Sequence, residues 1–323
     1  MKKHILLLAL IALFALSAGA QRIESNYILS SNIKDDNGNR LGKGAVQYLT
    51  GNFSMPLSME RIVQIKNTHG SSVLPNGEIV TKEKSDTIAT VRMWHLTFTG
   101  KYAAFDYEGT SLQHLPGNTI NAGAMITHAC PIAHRWSLVA SAGITLNAVP
   151  SYIRLQSLAI TSGIIFQYRV NSNLSLGAGV VGTTSFGQPV IIPVPMINWK
   201  RGGLYSIELN MHGKPQLTIS TQATPKTIIS LTPFDTEHFS ALTNIGGEHK
   251  VFSQNIMKAS LGISYRVAKH WSIDGEAAYI YHHTARIQER TVKAFWKNLF
   301  SGDNRMKYSG KVAFTVGLRY HFR

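Results

Sequence analysis

Apolar and polar residues alternate with a period of two over long stretches of this chain. In residues 271–281 the odd positions carry aromatic, aliphatic or small side chains, and the even positions begin with Ser272, Asp274 and Glu276. The same alternation occurs in 258–267. Because successive side chains of a β-strand point to opposite faces, this pattern predicts strands with one apolar face and one polar face.

The predicted strands are long, and aromatic residues stand at their ends. Many contain about ten residues or more, whereas strands of ordinary sheets contain about five or six and membrane-crossing strands about 9–11. Aromatic side chains in such positions form the interfacial girdle of a lipid-facing barrel. They are Trp136, Tyr168, Tyr265, Trp271, Tyr279, Tyr281, Tyr308, Tyr320 and Phe322. The pattern favours a membrane-spanning barrel, with a soluble β-solenoid or β-sandwich as the alternative.

The fold class predicted is all-β, a closed antiparallel transmembrane β-barrel of about twelve strands, with ten or fourteen as alternatives. The strands are predicted near 22–33, 43–55, 88–105, 119–130, 136–147, 157–168, 174–183, 204–212, 216–223, 253–266, 271–288 and 307–322. Tight periplasmic turns are predicted at 132–136, 170–174, 213–215 and 267–271. Long extracellular loops are predicted at 106–118, 148–156, 184–203, 223–252 and 289–306. Both chain ends then lie in the periplasm.

Two segments need separate treatment. Residues 56–87 are predicted to form an unusually long periplasmic connection. Residues 189–199 are rich in β-forming residues but contain Pro189, Pro193 and Pro195. Because proline has no N–H to donate to a ladder, we place this segment in an external loop or a constrained edge.

The first twenty residues have the features of a secretory signal peptide. Lys2 and Lys3 precede the apolar run 5–16, and small residues follow it up to Ala20, which predicts cleavage after Ala20. The apolar run is too short for a spanning helix. We therefore predict a signal peptide at 1–20 and one barrel domain at 21–323. The single cysteine, Cys130, forms no internal disulfide, so a large core or a closed sheet must hold the exported chain together.

The chain is basic, with 32 Lys plus Arg against 17 Asp plus Glu and a formal net charge of +15. No helix-borne basic cluster or Lys/Arg-rich tract is present, which argues against nucleic acid as a partner. Anionic membrane surface fits better. The partners expected are outer-membrane lipid, lipopolysaccharide and the barrel-insertion machinery, and no cofactor is expected.

Charged residues on the polar faces of the last strands predict a charge network in the lumen. Its tentative members are Lys258, Arg266, Asp274, Glu276, His282, Arg286, Lys311 and Arg319. One interpretation is a salt-bridge network that compensates buried charge, and the other is an anion-selective path or a bound acidic ligand. Since neighbouring residues of a strand face opposite ways, His282 and His283 do not form a two-ligand metal clip.

An enzyme is the alternative class of function. Barrel enzymes that modify lipids need a serine and a histidine within hydrogen-bond reach, and the candidate rim histidines are His128, His212 and His283. No serine stands with them in a recognisable motif, and G-x-S-x-G and H-E-x-x-H are absent from the sequence. The loop 236–252 contains two Glu-His dipeptides, which are weak indicators of a metal site.

The last residues, GLRYHFR from Gly317 to Arg323, form an aromatic-rich end close to a phenylalanine. This end resembles the C-terminal insertion signal of Gram-negative outer-membrane proteins, although Arg323 follows the phenylalanine. With its W-S-L and Y-R-V hairpins, the chain resembles an uncharacterised family of outer-membrane β-barrel proteins, a domain of unknown function. The resemblance implies a barrel in the outer membrane. The function expected is a narrow pore for passive transport or a structural membrane protein of unknown ligand, with an outer-membrane lipid-modifying enzyme as the alternative.

Overall fold

The structure is a computed structural model of the whole chain. It describes residues 21–73, 79–184, 189–201, 203–210, 214–291, 293–294 and 305–321. The predicted signal peptide at 1–20 lies outside the described residues. No helix in the described part of the chain has the length and apolar character needed to cross a membrane.

Fifteen strand segments lie in the described part of the chain, and they form one antiparallel sheet. They are β1 (Gln21–Lys34), β2 (Arg40–Val73), β3 (Ile79–Glu108), β4 (Asn118–Ala133), β5 (Trp136–Ala148), β6 (Leu158–Arg169), β7 (Leu174–Thr183), β8 (Val190–Arg201), β9 (Tyr205–Asn210), β10 (Gln216–Thr224), β11 (Thr227–Ile245), β12 (Glu248–Arg266), β13 (Trp271–Glu289), β14 (Met306–Tyr308) and β15 (Lys311–Tyr320).

The sheet closes on itself. Each strand from β1 to β13 pairs with the next, and β15 pairs with both β13 and β1. The short segment β14 lies between β13 and β1, as β15 does. The ring therefore contains fourteen strand positions, which we call staves. Closure leaves no unpaired sheet edge around the ring, which is the condition for crossing a bilayer with strands. The prediction of a closed antiparallel barrel is confirmed, with fourteen rather than twelve strands.

Two of the fourteen strands were not predicted. The first is β8, in the proline-containing segment. Its residues Pro193 and Pro195 pair with β7, and the described pairing with β9 covers Met196 to Arg201. The N–H that proline lacks made this sequence look like a loop or an edge. Adding β8 also moves the 211–215 connection to the opposite end of the barrel from the one predicted for 213–215.

The second missed strand is β11, within the predicted long loop 223–252. Its pattern is not period-two because the five consecutive residues from Phe239 to Thr243 are all buried. Val251 to Gln254 on β12 are also all buried. A wall strand exposes alternate side chains, so residues 236–257 depart from the wall pattern, although Lys250 to Met257 stay paired with β13. We call these residues the plug hairpin.

The plug hairpin folds across the inside of the barrel. Pairing of β11 with β10 ends at Asp235, and Leu242 instead forms a parallel bridge with Ala148 of β5. Register shifts interrupt the β11–β12 ladder between Thr232 and Asp235 and the β12–β13 ladder between Met257 and Lys258. Such bulges bend a sheet sharply. The bend lies where β11 leaves β10, while β12 stays paired with β13 on the other side of the hairpin.

The connections have different lengths at the two ends of the barrel. At one end, which we call the short-turn end, β1 begins, β15 ends, and the turns 134–135, 170–173, 202–204, 225–226 and 267–270 are short. The opposite end, the loop end, carries the longer connections 109–117, 149–157 and 290–305. This asymmetry is typical of outer-membrane barrels.

Residues 56–87, predicted as a long connection, belong to a paired hairpin. β2 pairs with β1 only as far as Phe53, and β3 pairs with β4 only from Met93. Between these limits β2 and β3 pair with each other alone, as far as Val73 and Ile79. We call 57–92 the arm. It extends past the short-turn end by roughly 50 Å at about 3.3 Å per residue.

The outer face of the barrel is apolar. Leu261, Ile160 and Val316 are each more than 60% exposed. A water-soluble surface rarely carries such a continuous apolar area. On β13 the outward aromatics Trp271 and Tyr281 are ten residues apart, about 33 Å along the strand and about 24 Å along the normal at a tilt near 45°. That height matches the apolar band of a bilayer-spanning barrel, about 25 Å tall.

Candidate functional site in the barrel lumen

The lumen near the loop end is filled by an apolar core. Phe239 of the plug hairpin packs edge-on against Tyr48, with ring centroids 5.1 Å apart, and against Phe105 at 5.9 Å. Phe252, on the other strand of the plug hairpin, contacts Phe105 with ring centroids 5.5 Å apart. Phe239 and Phe252 are completely buried. Further members of this core are Ile28, Ile33, Val46, Ala103, Leu112, Leu115, Ile256, Ala278, Ile280, Ala285, Tyr308 and Ala313.

A row of alternating charges lies beside this core. Lys101 contacts Glu237 at 2.5 Å, and Lys214 contacts Glu237 at 2.7 Å and Asp235 at 2.9 Å. Lys258 continues the row to Asp235 at 3.5 Å and Glu276 at 2.7 Å. We call these six residues the charge ladder. It contains three cations and three carboxylates, so its formal charge is zero.

The ladder joins the plug hairpin to the wall. Glu237 lies in the hairpin and Asp235 at its base, while Lys101 comes from β3 on the other side of the lumen. Lys214 lies in the connection between β9 and β10. Burial lowers its pKa, but Glu237 and Asp235 raise it more, so the pKa ends above its ordinary value and the ammonium stays charged.

A second cluster of charges lies on the lumen face at the short-turn end. The Asp274 carboxylate forms ion pairs with the guanidinium groups of Arg319, at an N–O distance of 2.7 Å, and of Arg22, at 3.3 Å. Arg22 also pairs with Glu24. His321 Nε2 lies 2.8 Å from the Ser272 hydroxyl oxygen. These contacts bring together side chains from β1, β13 and the end of β15.

The structure places four of the eight residues of the predicted lumen network in these two clusters. Lys258 and Glu276 belong to the charge ladder, and Asp274 and Arg319 belong to the cluster at the short-turn end. Arg266 lies at the exposed end of β12, on the strand face that carries Lys258. Lys311 is buried near the loop end with its ammonium 4.3 Å from the Tyr308 ring centroid. Sequence reasoning did not identify Lys101, Lys214, Asp235, Glu237, Arg22 or Glu24.

His282 is not on the buried lumen face where it was expected. The register shift in the β12–β13 ladder places Tyr281 outside the regular pairing, and the alternation of faces reverses beyond it. As a result His283 is buried and stacks on Tyr308 with ring centroids 3.7 Å apart, while His282 is only partly buried. Arg286, four residues beyond His282, is also partly buried in the structure.

The candidate catalytic histidines do not assemble a lipid-facing site. His128 stacks on Trp94 with ring centroids 4.1 Å apart, His283 is in the apolar core, and His212 lies outside the described residues. The close serine–histidine contact of Ser272 and His321 is on the lumen side, and Ser272 is buried. A buried hydroxyl on the inner face has no access to acyl chains in the bilayer. Among the described residues, no three His, Cys, Asp or Glu side chains converge as metal ligands.

The wall formed by β4 to β7 has a thin inner lining. Gly123, Gly143, Gly163 and Gly177 alternate along it with small polar residues. A Cβ at Gly143 would lie 2.5 Å from the Ala124 carbonyl oxygen, so glycine is required for the local bend of the sheet. Beyond the contacts of the plug hairpin with β4 and β5, these small side chains fill little of the lumen.

Together these features define a transmembrane β-barrel whose lumen is packed at the loop end and polar toward the short-turn end. The chain belongs to the family described as Domain of unknown function (DUF6268), whose model matches residues 64–321. The resemblance to such a family, drawn from the sequence, is thereby confirmed. A search of curated proteins found no match to this sequence.

Several solved barrels are similar to the chain. An outer membrane channel from Pseudomonas putida F1 is 8% identical, with 94% of this chain and 96% of that chain covered and a TM-score of 0.42. The NanC porin is 6% identical, with 94% and 100% covered and a TM-score of 0.35. A Pseudomonas aeruginosa FadL homologue is 10% identical, with 97% and 92% covered and a TM-score of 0.33.

Proposed function

We propose that the chain is a passive channel of the Gram-negative outer membrane, closed by the plug hairpin. The observation that carries the proposal is that β11 has a different neighbour at each end of the barrel. Near the short-turn end the ring runs through all fourteen staves, because β10 pairs with β11. Near the loop end β11 meets β5 instead, through the bridge between Leu242 and Ala148.

Strand number supports a channel over a purely structural barrel. Eight strands suffice for an interior filled by side chains, whereas 16–18 strands leave an aqueous channel. Fourteen staves enclose more space than wall side chains fill, and here the additional filling comes from the plug hairpin. Removing the hairpin from the lumen opens a passage of polar character along β4 to β7.

Few hydrogen bonds join the hairpin to the wall on the side of β4 and β5, whereas its β12 strand stays paired with β13 from Lys250 to Met257. Val149 N–H donates to the Leu242 carbonyl at 3.2 Å, and the Asn121 amide donates to the Ser240 carbonyl at 2.8 Å. Water replaces such hydrogen bonds at a net cost of only about 0.5–1.5 kcal/mol each. The bulges at the base of the hairpin supply the position about which it bends.

A disulfide across the tip tests the proposal. In a Cys130→Ser background, Leu242→Cys and Ala148→Cys place two thiols on bridged residues, within the geometry of a disulfide. We expect channel openings in planar lipid bilayers for the parent and for the reduced double variant, and none for the oxidised one. The matched control is Leu209→Cys with Leu217→Cys, paired residues of the wall strands β9 and β10, whose oxidation leaves the openings unchanged.

Two results would contradict the proposal. If inserted parent protein and the reduced double variant both conduct no ions, the barrel is a closed structural protein. If the fully oxidised tip variant conducts like the reduced one, ions pass without movement of the hairpin. Phe239→Ala, which removes a buried anchor of the hairpin, should increase the open time, whereas Phe98→Ala on the outer face should not.

A further inference from the structure

Three arginines lie in one row across the short-turn end of the barrel. Arg22 of β1 is the register partner of Arg319 of β15, and Arg319 is the partner of Ser272 on β13. Ser272 is in turn the partner of Arg266 on β12. Neighbouring strands are about 4.8 Å apart, so the three guanidinium groups originate within about 15 Å of one another.

Carboxylates compensate only part of this row. Asp274 is shared by Arg319 and Arg22, and Glu24 pairs with Arg22. Within the described residues, no carboxylate forms an ion pair with Arg266, and its side chain is exposed. The imidazole of His321 adjoins the row through its contact with Ser272. We call Arg22, Arg266, Arg319 and His321 the mouth cluster.

The surrounding rim has the same sign of charge. The short turns with two flanking residues on each side, 132–137, 168–175, 200–206, 223–228 and 265–272, contain no Asp or Glu. They contribute Arg135, Arg169, Lys200, Arg201, Lys226, Arg266 and Lys269. The loop end differs, because its connections carry acidic residues such as Asp35, Asp36 and Glu248 beside cations such as Arg290 and Lys293. The short turns at the other end are therefore purely basic, whereas the loop end carries both signs of charge.

The side chains of the row point into the lumen. On β12, Arg266 shares its face with Lys258 and Ser260, whereas Tyr265 lies on the outer face. On β15, Arg319 shares its face with Lys311, and Leu318 lies on the outer face. A ligand of this row therefore reaches it through water in the mouth of the barrel. Lipid head groups outside the barrel face the other side of these strands.

We propose that the mouth cluster binds a soluble anion bearing carboxylate or phosphate groups, and that anionic solutes are the substrate class of the channel. The second clause rests on the proposed channel function, whereas binding at the mouth does not. Guanidinium groups form strong charge-assisted hydrogen bonds with both groups. Arg266 supplies the uncompensated charge, and Arg319 and His321, on β15 and just after it, lie across β13 from Arg266.

Binding is tested with the purified full chain in a non-ionic detergent, with pyrophosphate and citrate as probes in isothermal titration calorimetry. We expect saturable binding that weakens as potassium chloride is raised, because screening reduces the attraction. Arg266→Gln should reduce the affinity by about tenfold, and by more when combined with His321→Gln. The matched control Lys269→Gln removes a turn lysine outside the row and should change the affinity by less than about twofold.

The outcomes separate the two proposals. Equal probe affinities for the parent and Arg266→Gln would overturn the mouth site. Displacement of all bound probe by phosphatidylglycerol in nanodiscs would also overturn it, because that result identifies a lipid site. Probe binding that depends on Arg266 in a protein that never conducts supports the site and contradicts only the channel. In conducting protein, Arg266→Gln should shift the reversal potential in a salt gradient toward cation selectivity, and an unchanged potential would overturn the assignment of substrate class.

Discussion

At the scale of single residues, Lys258 is a buried lumen cation held between two carboxylates. Its side chain is 5% exposed and contacts Glu276 at 2.7 Å and Asp235 at 3.5 Å. Lys258→Met leaves two carboxylates in the lumen with one fewer cation between them. Breaking a buried ion pair by removing one partner costs about 3–5 kcal/mol. We expect a loss of this size in urea-dependent folding into lipid vesicles, followed by tryptophan fluorescence.

The pair Lys200 and Glu208 is the control for this prediction. Their side chains are 60% and 46% exposed, and their separation is 3.3 Å. Exposed ion pairs contribute only about 0–1 kcal/mol, so Lys200→Met should leave the folding free energy nearly unchanged. Equal losses for the two variants would mean that Lys258 is as well solvated as Lys200.

The sequence predicted some of these residues because they lie on regular strands. Lys258, Asp274, Glu276 and Arg319 follow the period-two pattern, and the pattern correctly assigns them to the polar face. Asp235 was not predicted, because it lies at the register shift of β11 where that pattern is interrupted. Ladder contacts between strands distant in sequence depend on barrel closure, which no local pattern specifies.

At the scale of elements, the arm is separable from the barrel. Residues 57–92 pair only within the arm, and the ladders that close the ring use β2 up to Phe53 and β3 from Met93. Replacing 58–92 with a short turn should therefore leave a folded barrel. Heat-modifiable mobility in gel electrophoresis, which distinguishes folded from unfolded barrels, measures this. Loss of the folded band would show that the arm is needed for folding.

The elements that escaped prediction share a physical cause. β8 contains Pro193 and Pro195, which lack the N–H of a ladder residue, so its sequence favoured a loop or an edge over a wall strand. The plug hairpin is buried on both faces, so it lacks the alternation by which wall strands are recognised. In the described part of the chain no other strand pairs with the arm, so closure of the ring does not constrain its pattern. In each case the departure from the wall pattern marks a local exception to regular strand alternation.

At the scale of the whole molecule, the barrel differs from a water-soluble protein in carrying apolar side chains on its outer face and charged side chains in its lumen. Leu261 is 63% exposed on the outer face of β12, between the girdle residue Tyr265 and the bulge near Met257. Its register partner is Ala277, midway between Trp271 and Tyr281. This places Leu261 near the middle of the apolar band. In a water-soluble protein, a substitution of such an exposed leucine by arginine would cost almost nothing.

In a bilayer the same substitution is expensive. Leu261→Arg should destabilise the barrel by about 2–4 kcal/mol, because the guanidinium must be moved or hydrated within hydrocarbon. Val267→Arg, in the turn after β12 at the level of the interface, should cost about 0–1 kcal/mol. Both values are measured by reversible folding into lipid vesicles. If the two substitutions have equal effects, the outer face is not in contact with hydrocarbon, and the fourteen staves do not span a membrane.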